Sequence, residues 1–327
     1  MTKINWNRTD LIDETEQVAM LSEEKDTLVV ETYDEQRVKV KNVVVDEIAA
    51  KRLQKKLGQY ITLTMPTLHV DDEQGLAQLK KSIVKHMKEL HKELPLSKES
   101  KILVIGLGNK TITPDALGPL AIDEIQLLED NEQLIMYAPG VTGQSGLETK
   151  EFVEALVKQT SPALVVVIDA LATRSTSRLC KTVQLTNTGI HPGSGVGNER
   201  QEIAYETLHV PVTAIGVPTV VDSTVLLADA VETLFRAIAG KIAEKDKPSS
   251  KLSVVNWKVP DTFDPAVIQP IFGQWVSWGS EERFQLLQEV FMHRDRLIVS
   301  PKEIDLWNEK YASLISDSIT EWLKQLE

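Results

Sequence analysis

The stretch KILVIGLGNKTITPDALGPL (Lys101–Leu120) joins a short apolar run to a glycine-containing turn and the beginning of a helical pattern. The run ILVI (102–105) shows no polar alternation, which is typical of a strand buried on both faces of its sheet. GLGNKT (106–111) predicts a tight connection into a helix near 115–129. It lacks the third glycine of a G-x-G-x-x-G fingerprint, so it does not indicate a dinucleotide site.

The same alternation of strand and helix continues to about residue 240. Further buried strands are predicted at 134–138, 163–168 and 210–215, and helices near 147–159 and 222–239. Because such alternation is typical of a parallel sheet with helices on both faces, we predict an α/β fold. Its architecture is three-layered, α/β/α, around a mostly parallel central sheet. TVQLT (182–186) is predicted to add a strand at the sheet edge.

The flanking regions predict additions to this core. TLVVET and RVKVKNVVV (37–45), separated by YDEQ, indicate an N-terminal β-hairpin. SPKE (300–303) predicts the start of a long last helix, with Ser300 as N-cap and Glu303 completing a capping box. We expect one domain over 11–327. It would comprise a catalytic core at about 101–240 and a C-terminal helical cover at about 250–327.

Composition excludes several classes of function. The net charge of −12 argues against a stable nucleic-acid complex and against an anionic membrane surface. The single cysteine, Cys180, allows no intramolecular disulfide, which fits a reducing cytoplasm. The N-terminus is polar and acidic, which argues against a signal peptide, and the longest apolar run is too short to span a bilayer. We therefore expect a cytoplasmic location without a membrane partner.

In an open parallel sheet, ligands bind along the edge formed by the carboxyl ends of the strands. Glycine is concentrated in the loops predicted at that edge, where it lets the backbone approach a substrate closely. These loops are 106–115, 139–146, 169–175 and 217–222, with 186–198 joining them if its strand runs parallel. We therefore expect a binding crevice there.

Two aspartates belong to these loops. Asp115, taken alone, is better explained as a first-turn charge, with Thr113 as N-cap and Pro114 at the first helical position. Asp169 directly follows ALVVVI, where a carboxylate is costly unless it is partnered or faces the crevice. We favour a functional role for Asp169, and N-capping of the next segment remains an alternative.

A shared crevice would give the two carboxylates complementary roles. One keeps a proton while the other stays charged, which provides an acid for a leaving amine and a base for water. That chemistry suits amide hydrolysis without a metal. Other candidates are weaker: His191 as a ligand, base or substrate contact, Cys180 as an incidental thiol, and Asp222 as the start of the helix at 222–239.

The sequence blocks around these residues resemble the germination protease (spore protease) family, aspartic-type endopeptidases of spore-forming bacteria. The blocks occur in the family's order and cover about Lys101 to Ala230. They are GLGN, TPDALGP, APGVTGQSGLET, VVVIDALATR, TNTGIHPGSGVGN and AIGVPTVVD. RTDL near the N-terminus, GQYITL and SPKEID extend the similarity over most of the chain.

The resemblance implies an enzyme that initiates the degradation of small acid-soluble spore proteins during germination, in the cytoplasm of the forespore or spore core. Asp115 and Asp169 occupy the positions of the family's proposed catalytic pair, and no cofactor or metal is implied. The family is made as an inactive homotetrameric zymogen that removes a short pro-segment, here 1–10. Self-cleavage is thus expected between Asp10 and Leu11, although Ile12 is larger than the residue usual there.

Supporting residues and alternatives complete the prediction. Asn109 is a candidate orienter or oxyanion donor, and further substrate contacts are expected from Gly140, Gly143, His191, Gly193 and Gly195. A second hypothesis is a metal-assisted peptidase with Asp115, Asp169 and His191 as ligands. A third is a non-enzymatic regulator of germination that binds a peptide or an anion in the crevice.

Overall fold

The computed structural model describes residues 28–53, 55–128, 133–140, 149–191, 202–244, 259–291 and 297–326. The strands are β1 (Leu28–Glu35), β2 (Val38–Val45), β3 (Gly58–Thr64), β4 (Ile102–Gly106), β5 (Leu134–Tyr137), β6 (Leu164–Thr173), β7 (Thr182–Thr186), β8 (Val212–Asp222) and β9 (Ile298–Val299). The α-helices are α1 (Glu47–Leu53), α2 (Glu73–His91), α3 (Leu117–Leu128), α4 (Thr149–Thr160), α5 (Tyr205–Leu208), α6 (Ser223–Glu244), α7 (Pro265–Phe272), α8 (Ser280–Phe291) and α9 (Ile304–Leu323). The predicted pro-segment and its cleavage site at Asp10 and Leu11 lie outside the described residues.

The sheet has a parallel part and an antiparallel part. Its strand order is β1-β2-β3-β7-β8-β6-β4-β5. β4 is parallel to both β5 and β6, whereas β1, β2, β3, β7 and β8 form successive antiparallel pairs. At the start of β6, the Val165 N–H donates to the Pro211 carbonyl just before β8 (2.9 Å), so these two strands begin side by side. The predicted α/β class with a parallel core is confirmed, and the predicted hairpin is β1–β2.

The alternating side chains of the central strands enter two separate cores. On β4, Ile102 and Val104 belong to a core with α2, α3 and α9, while Leu103 and Ile105 belong to a core with α4 and α5. A continuous apolar run is required because both faces of the strand are covered. Helices therefore lie on both faces of the sheet, as the three-layer prediction requires.

Three structural predictions were wrong: the position of β7 in the sheet, the loop at 217–222 and the start of the last helix. β7 is an internal strand between β3 and β8, not an edge strand, and all five of its residues are buried. Residues 217–222 continue β8 and do not form a loop. The last helix begins at Ile304 and is not capped by Ser300, because the Ile304 N–H donates to the Pro301 carbonyl (3.2 Å) in a separate turn.

The chain divides into two compact units. The first runs to Val220 and resumes at Ser300, and the second is Val221–Val299. α9 packs on α2 and α3 in the first unit, so the second unit does not coincide with the predicted cover. The second unit has its own small core, built on Phe235, Ala239, Ile268 and Val276. None of the described helices is long and apolar enough to cross a membrane.

Candidate active site

The turn after β4 depends on a glycine in the left-handed region. Gly108 has φ +115°, and a Cβ there would lie 2.0 Å from the backbone oxygen of Asp115. A side chain at this position would therefore collide with the backbone of the aspartate. Gly118 on α3 has the same function, since its Cβ would lie 2.2 Å from the Leu107 oxygen and 2.7 Å from the Ile168 oxygen. The absence of both side chains lets the Asp115 turn and α3 lie directly against β4 and β6.

Asp115 ends a short 3₁₀ turn, Thr113–Asp115, that precedes α3. The predicted N-cap role of Thr113 was wrong, because Ile112 occupies the cap position and no side chain caps the turn. The Asp115 N–H donates to the Ile112 carbonyl (2.8 Å), and the Asp115 carbonyl accepts from the Asn109 N–H (3.0 Å). The backbone of the half-buried aspartate is therefore fixed on both sides.

Asn109 shapes the same loop. Its Oδ1 accepts from the N–H of Thr111 (3.0 Å) and from the Thr111 hydroxyl (2.8 Å). This is a local turn of the kind that asparagine commonly forms with the backbone two residues on. Its predicted role as an orienter or oxyanion donor stays a prediction.

Asp169 lies inside β6, not after it, because the strand continues to Thr173. The alternative that Asp169 caps a helix was therefore wrong. The carboxylate is 7 % exposed, and its Oδ1 accepts from the Ala170 N–H (2.9 Å). A carboxylate this deeply buried is costly unless it is hydrogen-bonded or has a function.

Backbone contacts bring the two aspartates to the same end of the sheet. The Leu107 N–H donates to the carbonyl of Ile168 (2.8 Å), the residue that directly precedes Asp169. One residue beyond Leu107, Gly108 packs against Asp115. The 3₁₀ turn that carries Asp115 also contacts β6. Two segments 54 positions apart in the sequence thus converge where β4 ends, beside the middle of the longer strand β6.

The sequence analysis did not identify two buried side chains at this end, although one of them, Asn308, is a polar residue within the apolar face of α9. The hydroxyl of Thr219 on β8 donates to the Pro114 carbonyl (2.8 Å), and Nδ2 of Asn308 on α9 donates to the Thr113 carbonyl. Both residues are 1 % exposed. They contact the two residues that precede Asp115.

His191 does not join the aspartates. The condition that β7 runs parallel is not met, since Thr186 pairs antiparallel with Ala214 near the start of β8. The chain therefore leaves β7 at the opposite end of the sheet. There Nε2 of His191 lies 3.0 Å from Oε1 of Glu202, and its side chain is 58 % exposed. The structure thus does not assemble the three predicted metal ligands.

The remaining predicted residues are four glycines, the single cysteine and Asp222, and the structure describes only some of them. Gly140 follows β5 with φ +68°, whereas Gly143, Gly193 and Gly195 lie outside the described residues. Burial raises the pKa of the Cys180 thiol to about 12, so this cysteine is not poised as a nucleophile. Asp222 begins α6 as predicted, because its Oδ1 accepts from the Thr224 N–H (2.9 Å).

An α/β protein with two acidic side chains at the carboxyl end of its parallel strands belongs to a class that includes hydrolytic enzymes. A family model described as "Germination protease" matches residues 7–326. Proteins named germination protease are similar over 95 % of this chain and 92 % of their own length. They include one from Geobacillus sp. (strain WCH70) at 32 % identity, and others from Bacillus cereus (strain ATCC 10987) and Priestia megaterium at 33 %.

The chain belongs to the germination protease family, and it is therefore an aspartic-type endopeptidase, as predicted. Among solved structures, a [NiFe] hydrogenase maturation protease, HycI, from Thermococcus kodakarensis is similar at 15 % identity. That match has a TM-score of 0.29 and covers 41 % of this chain and 80 % of HycI. A similarity at this level says nothing about activity.

Proposed function

We propose that this protease initiates the degradation of small acid-soluble spore proteins during germination, with Asp115 and Asp169 as its catalytic pair. The observation that carries the proposal is the hydrogen bond from Leu107 to Ile168, together with the packing of Gly108 on Asp115. These contacts support a common crevice for both carboxyl groups. Asp169 lies within β6, and Asp115 lies on the 3₁₀ turn that contacts this strand.

The two carboxyl groups would divide the catalytic work. Carboxylates that share a crevice hold one proton between them, so one is charged while the other is neutral. The charged group accepts a proton from water, and the resulting hydroxide attacks the peptide carbonyl. The neutral group then donates its proton to the departing amine. The peptide bond breaks, one water is consumed, and the pair returns to its single-proton state.

The burial of Asp169 supports this chemistry. At 7 % exposure its carboxyl group is largely removed from water, and electrostatic interactions strengthen in such surroundings. Asp115 is half-buried and therefore nearer to solvent. Asn109, Gly140, Gly143, Gly193 and Gly195 remain candidates for substrate contact, whereas His191 lies at the opposite end of the sheet and is dropped.

We also propose that the protein is made as a zymogen that processes itself. Cleavage between Asp10 and Leu11 would remove the pro-segment, and the processed enzyme would act as a homotetramer in the cytoplasm of the forespore or spore core. The support is similarity to germination proteases over 95 % of the chain.

The decisive experiment incubates a purified chain beginning at Leu11 with a small acid-soluble spore protein and identifies the fragments by mass spectrometry. We expect cleavage at a few defined sites, next to an acidic residue and unaffected by chelator. Activity that is lost in chelator and restored by a divalent ion would contradict a pair of aspartates that works without a metal. Absence of cleavage by the trimmed protein would contradict the proposed substrate.

A further inference from the structure

The backbone that leads into Asp115 is held by two side chains from distant parts of the first unit. Thr219 on β8 and Asn308 on α9 donate to the consecutive carbonyls of Pro114 and Thr113. Their separations from these carbonyls in sequence are 105 and 195 residues. Neither contact belongs to a helix or strand ladder, so neither is needed to form a regular element.

The chemistry of the turn explains why outside donors matter. Within the described chain, the turn has only two backbone hydrogen bonds of its own, from the Asp115 N–H to the Ile112 carbonyl (2.8 Å) and from the Ala116 N–H to the Thr113 carbonyl (3.2 Å). The Thr113 carbonyl accepts from the Ala116 N–H at 3.2 Å, and the Asn308 amide is its second donor. A 3₁₀ turn of three residues is otherwise easily deformed, because its hydrogen-bond geometry is poor.

The donors on Thr219 and Asn308 are buried polar groups, so each depends on a partner inside the protein for its hydrogen bond. A hydroxyl or amide at 1 % exposure loses its hydrogen bonds to water, so its orientation is set by the partner that it finds in the protein. Removal of the Thr219 hydroxyl or the Asn308 amide leaves the carbonyl of Pro114 or Thr113 without that donor from the protein. The backbone of the turn would then shift until that carbonyl accepts from another donor.

We infer that Thr219 and Asn308 are positioning residues for Asp115, which keep its carboxylate aligned with Asp169 by clamping the carbonyls before it. The inference rests on the proposed function of Asp115. It adds that the site is set from two further elements, β8 and α9. Displacement of a catalytic group by about 1 Å can lower turnover about 100-fold without changing substrate affinity.

The test compares Thr219→Val, Thr219→Ser and Asn308→Leu with matched controls. Thr62→Val is the control for Thr219, because the Thr62 hydroxyl is equally buried and has no hydrogen-bond partner among the described residues. Ser316→Ala is the control on α9, where the Ser316 hydroxyl is likewise buried and unpartnered within the described chain. Cleavage of a small acid-soluble spore protein is measured well below the unfolding midpoint, with rates corrected for the folded fraction.

We expect Thr219→Val and Asn308→Leu to lower kcat by about 10- to 100-fold with KM within about twofold, since the carboxylate is displaced but the substrate crevice is intact. Thr219→Ser should recover most of kcat because it restores the hydroxyl. Both controls should keep the kcat of the unaltered protein. A side chain with only a structural role would change the unfolding midpoint and leave the corrected kcat alone.

The outcomes separate the two proposals. Unchanged corrected kcat in Thr219→Val and Asn308→Leu, with Asp115→Asn inactive, would overturn the positioning role alone. Full turnover by Asp115→Asn would instead overturn the proposed function. If Thr219→Val does not fold, the positioning role is tested by comparing the corrected kcat of Asn308→Leu with that of Ser316→Ala.

Discussion

Gly108→Ala adds a single methyl group, yet we expect it to displace Asp115 and to reduce activity strongly. The added methyl would lie 2.0 Å from the Asp115 oxygen, whereas ordinary contact begins at 3.4 Å. The Asp115 backbone or β4 must therefore move by about 1.4 Å, the difference between those two distances. Because the neighbour is backbone, no flexible side chain can absorb the shift.

The magnitude follows from the backbone strain and from the displacement. A residue other than glycine at φ +115° costs about 1–3 kcal/mol of stability. A displacement of more than 1 Å at a catalytic group lowers turnover by about 100-fold or more. We therefore expect a folded protein with a modestly reduced free energy of unfolding and a kcat reduced at least 100-fold.

The assay pairs urea unfolding with cleavage kinetics on the purified protein. Gly273→Ala is the control, since Gly273 also has positive φ (+67°) but its Cβ would meet nothing within 4 Å. That variant should lose about 1–3 kcal/mol from the same kind of backbone strain and keep its kcat. If Gly108→Ala cleaves substrate at the same rate as Gly273→Ala, then Asp115 is not held as described or does not take part in the reaction.

Two further predictions concern buried titratable groups. Burial lowers the pKa of His91 to about 4, so the unfolded chain takes up this proton first as the pH falls below 6.5. The free energy of unfolding should decrease by about 2 kcal/mol from pH 7.5 to pH 5 on account of this residue. His91→Gln, measured by urea unfolding at both pH values, should show that much less pH dependence; equal dependence in both proteins would contradict it. Cys180, with its pKa raised to about 12 by burial, should resist iodoacetamide in the native protein and react after unfolding. Rapid native alkylation, followed by mass spectrometry, would refute the buried placement of the thiol.

The strands at the centre of the fold were predictable because they are buried on both faces. ILVI and ALVVVI have no polar alternation, and β4 and β6 contribute alternate residues to two cores. Their ends were harder to place. Asp169 interrupts the apolar pattern of β6, and Pro218 interrupts that of β8, yet both strands continue through them. In β8 the Pro218 carbonyl accepts from the Cys180 N–H (2.8 Å), a tertiary contact without a local signature.

The internal position of β7 was missed because its polar residues suggested an exposed edge. Thr182, Gln184 and Thr186 are all buried, and Thr182 lies in a hydrogen-bonded pair with Thr64 of β3 (3.3 Å). Polar side chains that find partners across strands can occupy a central strand.

The aspartates were predictable as a pair through topology, whereas their supports were not. Asp115 and Asp169 follow recognisable strands, so the carboxyl-end rule applies to both. Asn308 is a polar residue within the apolar, buried face of α9, four residues after Ile304, but nothing near it in sequence points to a carbonyl 195 residues away. Only the packing of α9 on α3 makes that contact possible.

The most direct measurement is the rate of cleavage of a small acid-soluble spore protein by Asp115→Asn and Asp169→Asn. Asp123→Asn serves as a matched control, since Asp123 on α3 is a surface carboxylate paired with Lys110 in the connection after β4. We predict that each of the first two variants is folded and inactive, while the control cleaves at the normal rate. Near-normal turnover by either Asp115→Asn or Asp169→Asn would contradict the catalytic pair.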